Sequence, residues 1–241
     1  MGNAMPEWMY ECFGTMFFTM TMCSAWGAEG AFLHNSMAVG VSWALIHSVF
    51  NTHCKAHFNP LLTVGDFVKN KSADNSNFLD CLKNIFGQYV GCAFGIGLLE
   101  RISTTTELSA TAAKSGAQEY VMLFILAAFL VKFFWAEKGS KFWSESGNEA
   151  VWYAVAIAVT HMIGGSNTNS NMANPAVYTG AGVQNVIQSV VDGGEFDAFG
   201  FFSTQLLQNL AMYSGAVVSV LCTAWKYQGK GFLGPPNLTC K

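Results

Sequence analysis

Along the 241-residue chain, apolar residues gather into six stretches, about 7–26, 38–53, 78–99, 118–136, 148–163 and 199–225, with more polar connections between them. A helix that crosses a bilayer needs roughly 20 mostly apolar residues, and these stretches reach or approach that length. Trp8, Trp26, Trp135, Trp143, Trp152 and Trp225 stand near their ends, where amphipathic rings favour the boundary between hydrocarbon and water. The pattern predicts an all-α membrane protein, a single domain over 1–241 with six transmembrane helices. A large buried helical core fits less well, because such long spans carry so few charges. Two further apolar segments, 61–67 and 176–187, are too short to span.

Composition sharpens this picture. Only 11% of the residues are charged, against about 25% in an average soluble domain. With 20 Phe and 7 Trp the chain is far too apolar and aromatic for disorder. A net charge of −3 excludes an electrostatic nucleic-acid binder, which needs a basic face. Mean hydropathy is a modest +0.30, which points to a bundle with a polar interior. Seven scattered cysteines make neither a disulfide framework nor a CxxC metal site, so neither metal nor cofactor is expected. Residues 1–6 lack a basic n-region and a cleavage site, so no signal peptide is expected there. With the N-terminus inside, the inner loops and flanks carry Lys55, Lys69, Lys71, Lys83, Lys132, Lys138, Lys141, Lys226, Lys230 and Lys241, and the outer loops only Arg101 and Lys114. That bias places both termini on the cytosolic side, or in the matrix of an organelle.

Ionisable residues inside spans are costly and therefore informative. Glu11 opens the first span and Glu119 the fourth, dividing the chain into halves of about 1–105 and 106–241. Each half also holds an Asn-Pro pair after its second span: Asn59-Pro60-Leu61 and Asn174-Pro175-Ala176. The acid precedes the Asn by 48 residues in one half and 55 in the other. Three spans per half set the copies in opposite orientations, an inverted repeat of the kind that recurs in proteins moving solutes across bilayers.

The repeated Asn-Pro carries the chemistry. Proline suits the first position of a helix, where its missing N–H would be unpaired anyway, and Asn before it is a strong N-cap. Each pair therefore starts a half-helix, and inversion makes the two meet N-terminus to N-terminus near the midplane. Two positive dipole ends at one point repel cations, hydrated protons included. The Asn amides still offer N–H donors to a passing molecule, so the arrangement reads as a narrow pore for small neutral solutes.

Over nearly its whole length the chain resembles the aquaporin (major intrinsic protein) family. Glu11, Gly14 and Thr15 are similar to that family's E-x-x-G-T start, and Ala56-His57-Phe58-Asn59-Pro60 to its A-H-x-N-P. Asn174-Pro175-Ala176 matches its second motif, and Gln88-Tyr89-Val90-Gly91 is similar to the Q-x-x-G of its third helix. The resemblance implies a right-handed bundle of six tilted helices and two half-helices in a lipid bilayer, one pore per subunit, and usually a homotetramer. It also implies structural support from Glu11, His57, Gln88 and Glu119. The departures are as informative: Leu61 stands where Ala is frequent, and Val177 where water-selective members carry Arg. The resemblance puts the outer filter at Val39, twenty residues before Asn59, with His161, Asn171 and Val177. Losing an always-charged five-donor group and an aromatic, here Val39, points to wider selectivity: water, glycerol, urea, ammonia or hydrogen peroxide. The same changes also fit relaxed conduction, and with it a non-conducting aquaporin-fold subunit of a larger membrane complex.

The remaining candidates have plainer readings. A structural hydrogen bond at its half-helix loop is expected for His57, and plain interfacial positions for His47 and His53. Cys23, Cys92 and Cys222 are expected to pack as small apolar groups. Gly91, Ala93, Gly95, Gly215 and Ala216 are expected to allow close helix crossing. The polar loop 164–173 suits either an entrance lined with hydrogen-bonding groups or a solvated turn. Nothing assembles a nucleophile, a base and an oxyanion site, so an enzyme is not expected.

Overall fold

A computed structural model of the chain describes residues 5–27, 32–69, 75–102, 117–136, 149–167, 173–194 and 197–228. Among these residues the secondary structure is entirely helical: α1 Glu7–Gly27, α2 Phe32–Phe50, α3 Pro60–Lys69, α4 Asn75–Ile102, α5 Ala117–Ala136, α6 Glu149–Asn167, α7 Pro175–Val191 and α8 Ala198–Gln228. Six long helices fall on the six apolar stretches, and two others start at the two Asn-Pro pairs. Several run past the apolar run that predicts them. The second helix starts at Phe32, six residues before 38, and takes in His34, Asn35 and Ser36. The sixth continues through Asn167 into the polar loop. A helix satisfies its backbone internally, so polar residues extend it without loss, while an apolar count registers only its hydrophobic part.

One helical segment among the described residues, Ala198–Cys222, is both long and apolar enough by composition to cross a membrane, and Tyr153–Ile163 is a shorter apolar one. Several helices also carry polar residues that face inward. In α1, Glu11, Thr15 and Thr19 recur every fourth residue and are fully buried, whereas Phe13 and Phe17 face outward. In α2, Leu33, Met37, Val41, Leu45 and Val49 form an unbroken exposed stripe at four-residue spacing. Val121, Ile125 and Phe129 repeat the pattern on α5. Buried Asn84, Gln88, Glu119, Thr160, His161 and Gln208 add polar groups to an otherwise apolar core.

Helix pairing follows the two halves of the chain. The pair α1–α4 has its counterpart in α5–α8, α1–α2 in α5–α6, and α3–α4 in α7–α8, while α2 packs on α6 and α3 meets α7. Close approach depends on missing side chains. A Cβ on Gly91 of α4 would overlap the Cys12 carbonyl oxygen of α1, and one on Gly215 of α8 would overlap that of Phe124 on α5. Gly95 lies somewhat less tightly on Met16 of α1. Ala93 is exposed and takes no part in that crossing. Cys23 and Cys92 are buried as expected, but Cys222 is exposed, because it lies on the outer face of α8.

Candidate functional site

The two short helices start face to face. The Asn59 side-chain oxygen accepts from the Leu61 N–H (2.9 Å), and the Asn59 carbonyl accepts from Leu62 (3.0 Å) and Thr63 (3.3 Å). The Asn174 side-chain oxygen likewise accepts from Ala176 (3.2 Å) and Val177 (3.5 Å), from an extended backbone at φ −135° and ψ 99°. Both are N-caps with proline at the first helical position. The amide nitrogens do something else. Asn59 Nδ2 donates to the Ala173 carbonyl (2.7 Å) and Asn174 Nδ2 to the Phe58 carbonyl (3.1 Å). Each caps its own helix and ties itself to the chain just before the other's cap. An amide carries two N–H donors, so one remains on each for a molecule beside it.

The approach to Asn59 is held by α1. Glu11 Oε1 accepts from the His57 N–H and Oε2 from the Phe58 N–H, both at 2.9 Å, and Oε2 also accepts from Gln88 Nε2 (2.9 Å). Ala56 and Phe58 sit in the left-handed region, at φ 51° and 50°, which costs a residue with a side chain roughly 1–2 kcal/mol. Hydrogen bonds to a carboxylate contribute about 1.5–3 kcal/mol each, enough to offset the strain. Gly14 leaves the space that the Phe58 ring fills. Gln88 Nε2 also donates to Thr63 Oγ1 (2.9 Å), which is 3.1 Å from His57 Nδ1. At the start of this loop Lys55 Nζ pairs with Asp66 Oδ2 at 2.7 Å, and the Lys55 N–H donates to Glu7 Oε1 (3.3 Å).

In the second half, Gln208 Nε2 donates to Glu119 Oε1 (3.0 Å), and the Tyr178 hydroxyl donates to Gln208 Oε1. Gln208 on α8 thus stands to Glu119 on α5 as Gln88 on α4 stands to Glu11 on α1. Asn171 lies outside the described residues.

A cavity of about 30 Å³ borders both asparagines, with Val39, Trp43, Thr160 and His161 among its polar and apolar wall residues. At 10–15 Å³ per water centre it has room for about two waters. Val39 and His161 of the expected filter share this cavity, and Ser36 Oγ lies 2.8 Å from His161 Nδ1. Leu61 and Val177 are fully buried but outside its wall. His47 is not at a plain interfacial position: it is buried, its Nδ1 donates to the Ala56 carbonyl (3.0 Å), and its ring stacks on Trp43. His53 is exposed and stacks on Tyr10 at 4.9 Å. Among the described residues no three His, Cys, Asp or Glu side chains come together as a metal site.

Sequence reasoning missed Trp43, Phe18, Met22, Leu130, Ile157 and Thr160 in this wall. One signal was available for Trp43: of the seven tryptophans it lies deepest inside an apolar stretch, five residues past the start of 38–53.

No protein-family model and no curated protein matches the chain. Its structure is similar to the X-ray structure of the aquaglyceroporin from Plasmodium falciparum, with a TM-score of 0.68 and 18% sequence identity over 89% of this chain and 93% of that one. At that identity the likeness is one of architecture: the chain has an aquaporin-like, all-helical fold.

Proposed function

We propose that the chain is a multi-pass membrane protein that forms a passive channel for water and small neutral solutes, with no catalytic role. The observation that carries this reading is the cross-tied pair Asn59 and Asn174 at the meeting point of two helix N-termini, beside a cavity. Amide donors let a neutral molecule shed part of its hydration there, and two positive dipole ends oppose a cation. Membrane residence is supported by the outward stripe Leu33, Met37, Val41, Leu45 and Val49 around a core that holds buried polar residues such as Glu11, Gln88 and Gln208. A water-exposed surface of that kind would be an aggregation site.

The same reading takes 1–241 as one domain of two inverted halves in a right-handed bundle, a division supported by the matching helix pairings and by the matching Glu11–Gln88 and Glu119–Gln208 bonds. Glu11, His57, Gln88 and Glu119 serve as supports for the capped loops. Val39 and His161 form the outer filter with Asn171 and Val177. Both termini lie on the cytosolic or matrix side, and the subunits assemble as a homotetramer. Stopped-flow light scattering of proteoliposomes under an osmotic gradient tests the conduction. Shrinkage several-fold faster than that of empty vesicles is expected. A rate equal to empty vesicles would overturn the channel and leave a non-conducting structural subunit.

A further inference from the structure

We propose that Trp43 forms an inner selectivity site: its indole N–H is a third pore donor beside Asn59 and Asn174, and its bulk restricts passage to water-sized neutral molecules that accept hydrogen bonds. This deepens the channel reading and rests on it.

Trp43 follows Val39 by four residues on α2, one helical turn further along. It is fully buried and lies on the cavity wall, yet its Nε1 meets no acceptor among the described residues. A buried N–H left unmade costs about 1–3 kcal/mol, and the indole nitrogen is a donor only. A permeant that brings a lone pair to Nε1 would remove that cost. The ring is held in place, unlike a loose plug. His47 stacks on it at 4.6 Å and 20°, and the edges of Tyr153 and Phe134 meet it at 5.6 Å and 6.2 Å. His47 is itself anchored on the Ala56 carbonyl.

Much of the remaining wall is hydrocarbon, from Phe18, Met22, Leu130 and Ile157. Trp43, Asn59 and Asn174 each bring an N–H-bearing side chain to this wall, beside Thr160 and His161. Lone pairs are what such a passage recognises. With room for about two waters, a three-carbon polyol does not fit. The aromatic expected at position 39 is replaced by one deeper in the pore, so Val39 does not open the channel to larger solutes.

Proteoliposomes of wild type, Trp43→Phe and Trp43→Ala, matched for incorporated tetramer or monomer by size exclusion, test this with water and with glycerol. Wild type is expected to pass water well above empty vesicles and glycerol at background. Trp43→Phe keeps a ring without the donor and lowers water permeability by about 3–10-fold, the equivalent of one net hydrogen bond. Trp43→Ala raises glycerol uptake several-fold. Water flux through Trp43→Phe equal to wild type overturns the donor, and wild-type glycerol uptake equal to Trp43→Ala overturns the constriction. Wild type at background for both solutes removes the channel reading itself, and this site with it. If the variants fail to fold, a structure of wild type in lipid decides: a water within hydrogen-bonding distance of Trp43 Nε1 is expected. Its absence from a map showing waters at Asn59 and Asn174 overturns the proposal.

Discussion

Asn59 donates an amide N–H to the carbonyl of Ala173, the residue before Asn174, and Asn174 donates one to the carbonyl of Phe58, the residue before Asn59. The exchange joins the two halves across more than 110 positions of chain through two buried hydrogen bonds. Each asparagine thus has one oxygen committed to its own helix and one N–H committed to the other half.

Asn174→Ala removes an N-cap, worth about 0.5–2 kcal/mol, and leaves the Phe58 carbonyl without this donor. We expect the unfolding midpoint in detergent to fall by several degrees. Asn174→Asp keeps the cap but sets a negative oxygen against the Phe58 carbonyl and deletes both amide donors. Its water permeability is expected to drop at least tenfold at matched incorporation. Stopped-flow rates equal to wild type would remove the amide from the conduction path.

Glu11→Gln exchanges a group with two acceptor oxygens for one with an acceptor and a donor. One of the N–H groups of His57 and Phe58 then faces an NH₂, and the left-handed Ala56–Phe58 turn loses its offset. A loss of about 2–3 kcal/mol is expected. It is read as lower yield of folded protein and faster proteolysis between residues 51 and 58.

Leu45 is 64% exposed at mid-helix on the α2 stripe. In hydrocarbon, Leu45→Lys costs about 2.5–3.5 kcal/mol, so membrane integration should fall sharply in an insertion assay. On a water-facing helix the same change would be neutral and would improve solubility. A neutral outcome would therefore refute the lipid-facing exterior.

Burial lowers the pKa of Lys55, and the Asp66 hydrogen bond and charge, with Glu7, raise it by more, so the ammonium titrates above the ordinary lysine value. A raised value stabilises the fold below the unfolded-state pKa of about 10.4 and is lost as pH climbs through the folded one. Stability should therefore be flat in this respect across pH 6–9 and decline only in the alkaline range. Lys55→Met should abolish that alkaline component. Lys55 is more than half exposed, so the effect is small, and a melting series with pH measures it.

The sequence by itself determined what local physics decides. Six hydrophobic lengths, proline at a first helical position, and asparagine before it each act through neighbours in the chain, so the six long helices and the starts of α3 and α7 were legible within a few residues. The recurrence of Glu11 and Glu119, and of the two Asn-Pro pairs, also pointed to two copies. Only the tertiary structure decided which side chains share a space. Helix rotation is set by contacts such as Gly91 on Cys12 and by the exchange between Asn59 and Asn174, and their distance in sequence hides them from any local pattern. For this reason Trp43 turned inward to the cavity wall with His47 stacked on it, Ala93 and Cys222 turned out, and Leu61 and Val177 were buried outside that wall. A residue's type fixes what it can bond; the angle at which its helix crosses another fixes whether it meets the cavity.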